Sequence, residues 1–161
     1  MKRFLQILTL LAIGSLSLFA EDKQKPIKAL LITGGCCHNY VFQSQALIAG
    51  VAKHAKVDWK IVNEGGRGTK AMIPLYKNPN WAKSYDVVVH NECFANTDDK
   101  AYVQSITKAH KAGMPAVVIH CAMHTYRAAT FDDWRDFLGV TSKKHDHQAN
   151  YPVKQLVNHP I

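Results

Sequence analysis

The sequence predicts an α/β protein with a largely parallel sheet, and two observations carry that expectation. Four short runs of β-branched and other apolar residues recur along the chain: 29–33 (ALLIT), 57–62 (VDWKIV), 86–90 (DVVVH) and 116–120 (AVVIH). Segments of helical periodicity lie between them, and strands that alternate with helices form a parallel sheet whose faces the helices cover.

Each element has a local reason. Three of the four runs lack polar alternation, as expected of strands covered on both faces. The first helix is expected over residues 42–55, where Phe42, Ala46, Ala49 and Ala52 fall near one face. Residues 63–85 hold three glycines and two prolines with weak periodicity, which predicts a long loop with about one turn of helix. A second helix should open at Thr97, Asp98 and Asp99 and close at Gly113. It has a capping side chain and acids at its positive end, with Lys108 and Lys111 at its negative end. Farther on, Trp134, Phe137 and Leu138 have the spacing of an amphipathic face and are expected in the core. They should anchor a loop that carries His145 and His147 back toward the strand ends as a flap.

The start of the chain, MKRFLQILTLLAIGSLSLFA, has the basic opening, apolar centre and small-residue end of a secretory signal peptide over residues 1–20. Its apolar centre is broken by Gln6, Thr9, Gly14, Ser15 and Ser17, which leaves it short for a membrane span. The mature protein is therefore expected to be secreted or periplasmic, without stable membrane insertion. Residues 21–161 suit one domain. The formal charge of +8 is spread over helices and loops with no long basic run, which speaks against a nucleic-acid partner.

Ligands of open parallel sheets bind beyond the carboxyl ends of the strands, and that is where the reactive residues lie. The first strand runs into GGCCHNY (34–40), the third ends in HNECF (90–94) and the fourth in HCAMHTYR (120–127). All four cysteines and four of the nine histidines thus fall at one expected edge. The candidate catalytic residues are His120, His38 and His124. Candidate substrate-binding residues are Gly34, Gly35, Asn39, Tyr40, Asn91, Glu92, Tyr126 and Arg127, the paired glycines allowing close backbone approach.

Four chemistries compete at this edge. Imidazoles suit acid–base work near neutral pH. Histidines also offer borderline-soft nitrogen to a divalent metal such as zinc, for which His38, His90 and His120 are the candidate ligands. A Cys121 nucleophile is disfavoured, because Ile119 and Met123 stand where a nucleophile elbow needs small residues. The cysteines are open to a single bridge or to buried free thiols.

LLITGG, YDVVVHNE, KAGMPAVVIHCAMHTYR, FDDWRDFLGV and the late NHPI, taken together, resemble the ThuA-like, or trehalose-utilisation-like, family of the class I glutamine amidotransferase-like superfamily. The most specific parts are His120, the segment 134–139, and His159 with Pro160. That resemblance implies a flavodoxin-like three-layer fold with a largely parallel central sheet. It also implies a role in carbohydrate metabolism, with a sugar or keto-sugar as ligand. Where true amidotransferases end this strand in a cysteine, the chain has His120, with Cys121 one residue later, so glutamine hydrolysis is not expected. Relatives are expected to continue past NHPI, so the domain is expected to be truncated at its C-terminal end. The alternative function is a non-catalytic sugar-binding or interaction domain, in which Tyr40, Tyr126 and the NPNW tryptophan would stack on sugar rings.

Overall fold

The structure, a computed structural model, describes residues 25–147 and 149–158. The expected signal peptide, and His159 with Pro160, lie outside these residues. Four strands form one sheet: β1 (Ile27–Gly35), β2 (Val57–Asn63), β3 (Val87–Cys93) and β4 (Ala116–Val118), in the order β2-β1-β3-β4. Every pairing is parallel, and this is the flavodoxin-like order. The helices are α1 (Tyr40–Val51), α2 (Lys100–Lys111) and the short α3 (Asp133–Leu138). Right-handed crossovers put α1 on one face of the sheet and α2 on the other. Accordingly α1 packs on β1 and β2, while α2 packs against α3. Among the described residues no helix is long and apolar enough to cross a membrane.

Strand alternation sorts the central residues between the two faces. Leu30, Ile32, Val62 and Val88 join Val103 and Ile106 of α2 in the main core, together with Tyr76, Trp81, Tyr126 and Trp134. Ala29, Leu31 and Val89, equally buried, belong to the α1 face. Trp134, Phe137 and Leu138 pack in or against the main core, as their spacing predicts.

α2 begins where its acids stand, the Asp99 carboxylate accepting from the Tyr102 backbone N–H at 2.8 Å. The long loop before β3 contains one short 3-10 turn at Pro74–Lys77. Side chains pin it: the Tyr102 hydroxyl accepts from the Ile73 N–H at 2.9 Å, and Thr97 bonds both backbone groups of Ala71.

Two details depart from expectation. α1 turns the opposite face inward: Tyr40 and Ser44 are buried, Leu47, Ile48 and Val51 half-buried, and Phe42 is 64% exposed beside exposed Ala46 and Ala49. The true inward set has equally good helical spacing, and its aliphatic bulk outweighs the alanines. β4 is also shorter and more open than a doubly covered strand. Only β3 pairs with it among the described residues, and Val117 is 51% exposed.

Candidate functional site

Register brings the strand ends together. Gly35 of β1 is level with Cys93 of β3, and the Ile119 N–H donates to the His90 carbonyl at 2.9 Å as the chain leaves β4. The loops after β1 and β4 therefore meet over the end of β3, between them. Gly34 and Gly35 make this closeness feasible, with φ of 135° and 103°. A Cβ on Gly35 would lie 2.2 Å from the Cys93 carbonyl oxygen, and one on Gly34 2.4 Å from that of Glu64.

After Ile119 the chain enters a 3-10 turn, His120–His124, and the break falls on His120, whose φ is 49°. A histidine in the left-handed region is uncommon, and such strained residues cluster at functional sites. His120 is exposed at the end of a strand. Its ring lies 4.9 Å from that of His38 and 5.7 Å from that of His145, centre to centre. His145 also approaches His124 at 5.9 Å. Arg127 holds the incoming segment by donating to the Lys143 carbonyl at 3.0 Å, and His124 Nδ1 meets the Ser142 hydroxyl at 3.3 Å. His147 contributes its carbonyl to the Tyr151 hydroxyl. Of the expected flap pair, then, His145 reaches the strand ends.

His38 Nε2 lies 2.9 Å from Cys121 Sγ. Burial lowers the His38 pKa, and the neighbouring His120 and His145 add to that effect; burial raises the Cys121 thiol. Both directions favour neutral partners, so the thiol donates to the imidazole nitrogen. A protonated thiol is a poor nucleophile. Burial likewise lifts Cys93 to about 11, and Cys37 is raised first by its bond to Cys36. All four cysteines are free, and Cys36 packs against the buried group of Tyr40, Cys93 and Cys121. His124 is lowered by its burial first, then by Arg127 and the neighbouring histidines.

Beside this cluster Gly34, Gly35, His38, Asn39 and Tyr40 line a cleft of about 550 Å³, joined by Arg67 from the loop after β2. Arg67 carries no motif, and only the fold brings it here. Asn39 spends its side chain capping α1, accepting from the Phe42 N–H at 3.1 Å. Asn91 is buried on the α1 face, donating to Gln43 and Thr33.

His90, Glu92 and Tyr126 do not belong to this site. His90 and Glu92 share the opposite face of β3, and both are wholly buried. Glu92 Oε1 meets His90 Nδ1 at 2.8 Å and accepts from the Tyr76 hydroxyl at 3.3 Å. His90 Nε2 meets His110 Nε2 at 3.0 Å, and His110 Nδ1 donates to the Met114 carbonyl at 2.9 Å. Parity along β3 explains the separation, since residues 90 and 92 face α2 while 91 and 93 face α1. Tyr126 is buried among Tyr102 and Trp134. The expected metal trio His38, His90 and His120 is thus divided by the sheet, and Cys121 stands where His90 was expected.

The buried histidine yields a pH prediction. Burial holds His110 down at about 4, against an ordinary 6.5, with His90 adding to the effect and the Met114 carbonyl and Glu92 opposing it. Above 6.5 neither state takes the proton and stability is full. As pH falls from 6.5 to 4, the unfolded chain accepts a proton that the native core refuses, which costs about 3 kcal/mol. Measured by urea unfolding, the loss of stability across that window should be smaller in His110→Gln than in the wild type by about this amount, and equal losses would contradict the assignment.

Comparisons with protein families, curated proteins and solved structures give no match for this chain.

Proposed function

We propose that the chain is an exported, ThuA-like protein of carbohydrate metabolism that acts on a sugar or keto-sugar at the strand-end imidazole cluster. The observation that carries this reading is His120, which occupies the strained turn after β4 with its ring exposed and the rings of His38 and His145 close by. A rigid strand end that presents one imidazole among others suits the polarisation of a carbonyl or hydroxyl and the movement of its proton. The His38 ring stands beside it, its Nε2 engaged by the Cys121 thiol. The buried, protonated Cys121 does not suit glutamine hydrolysis, which needs a thiolate at the elbow.

The three aromatic residues named for the stacking alternative do not favour it. Tyr40, Trp81 and Tyr126 are 6%, 4% and 1% exposed, so none offers a ring face to a sugar.

The test is turnover of keto-disaccharides by the full-length chain and by His120→Asn. The variant should fold, retain ligand binding and turn over at least about a hundredfold more slowly, the usual scale of acid–base contributions. Near-normal turnover in the variant would remove His120 from the chemistry. Sugar binding with no turnover by the wild type would favour the binding-domain alternative.

A further inference from the structure

We propose that His38, His120 and Cys121 form a zinc site. One imidazole nitrogen from each histidine and Cys121 Sγ lie within 4.8 Å of one another, at a point where two loops distant in sequence converge. Zinc bound about 2.1 Å from nitrogen and 2.3 Å from sulfur holds its ligands roughly 3.5 Å apart, so side-chain shifts of about 1 Å close the trio on an ion. Two nitrogens and a sulfur are borderline-soft donors that suit zinc and not magnesium or calcium, which take oxygen.

The backbone is arranged for this trio. His120 and Cys121 are adjacent, and adjacent side chains converge on one point only where the chain turns sharply. The positive φ of His120 provides that turn at the residue that must be redirected. Cys121 is held below by Tyr40 and Cys93, and His38 is steered by an edge contact with the Tyr40 ring at 6.0 Å. Two ligands are thus packed in place while His120 is exposed, so the ion would be reachable from solvent. Three protein ligands and an accessible position are the pattern of catalytic zinc, whereas structural zinc is closed by four. His124 and His145 lie beside the trio but outside it.

This proposal rests on the reading that the strand-end cluster is the working site, and it specifies the chemistry there: the ion would act as Lewis acid on a sugar oxygen. Its test needs no substrate. The full chain, stripped with a chelator, is titrated with cobalt(II) and then with zinc. One equivalent of cobalt should produce the near-ultraviolet charge-transfer band of a thiolate ligand together with visible bands of a four-coordinate ion, and one equivalent of zinc should abolish both.

Cys121→Ser should lose the charge-transfer band while keeping its native circular dichroism. His120→Ala, changed at an exposed residue and so expected to fold, should bind zinc at least about tenfold more weakly. His38→Ala should do the same, and Cys37→Ser should leave the spectrum unchanged. Absence of a cobalt spectrum in the folded wild type, a thiolate band that survives in Cys121→Ser, or one that vanishes in Cys37→Ser would each overturn the proposal. Loss of turnover in His120→Asn without zinc binding would overturn the metal site alone and leave the functional reading standing. Zinc binding as described, with no turnover of any sugar, would do the reverse.

Discussion

Gly35→Ala should cost more than about 4 kcal/mol, a loss reached by few single substitutions. Two effects add. Gly35 has φ of 103°, where an L side chain is strained by about 1–3 kcal/mol. In addition its Cβ would sit 2.2 Å from the Cys93 carbonyl oxygen and 2.8 Å from the carbonyl carbon. Those atoms are the backbone of the neighbouring strand, paired with Gly35 itself, and they cannot retreat without opening the β1–β3 ladder. Gly113 is an internal control, with φ of 101° and nothing within 4 Å of its would-be Cβ. Gly113→Ala should lose only the strain. Urea unfolding of the two variants side by side isolates the clash, and equal losses would show that it does not exist.

Trp134→Ala should destabilise the protein by about 3–5 kcal/mol, the usual cost of removing a buried aromatic ring. Trp134 is 3% exposed, and the rings of His90, Tyr126 and Phe137 each lie 5.2 Å from it. Its indole N–H donates to the Ala122 carbonyl at 3.0 Å, tying α3 to the 3-10 turn that carries His120, Cys121 and His124. Trp134→Phe keeps most of the packing and loses that bond, so about 1 kcal/mol should go. Denaturant midpoints for the two variants test this, and a loss below about 1 kcal/mol in Trp134→Ala would refute the anchoring role. Because domain stability is itself about 5–15 kcal/mol, the alanine variant should also be the more readily cleaved by protease.

The fold is largely legible in the sequence because its signals are local. The continuous apolar runs of β1 and β3 mark strands covered on both faces, and Asp99 with Lys108 and Lys111 marks a helix by its ends. α1 is legible as a helix but not in orientation. Alanines on one side and Leu47, Ile48 and Val51 on the other give two apolar stripes, and the choice between them is made by the sheet beneath.

The site is legible as an edge and not as a set of contacts. That His90 and Glu92 share a face is a matter of strand parity, but which face they share depends on where α1 and α2 lie. The pairing of His38 with Cys121 spans 83 residues and depends on β1 and β4 flanking β3, which no local pattern records. The adjacency of Cys121 to His120 is the available clue. Against a nucleophile elbow, neighbouring bulk excludes the cysteine, but the same adjacency also lets one turn present a second donor. Tyr126 follows the histidine-bearing turn at the expected ligand edge, yet its φ of 57° accompanies a ring turned into the core.

The buried row of His110, His90 and Glu92 sets the protonation pattern of the interior. The Met114 carbonyl can only accept, so His110 carries its hydrogen on Nδ1. Held neutral, it presents a bare Nε2, which obliges His90 to donate from its own Nε2. A single further hydrogen then lies between His90 Nδ1 and Glu92 Oε1, whichever partner owns it. None of these hydrogens can meet water while α2, α3 and the loop before β3 stay closed over them. Their replacement by deuterium is therefore timed by the opening of that layer, so the row acts as an internal clock for the breathing of the core.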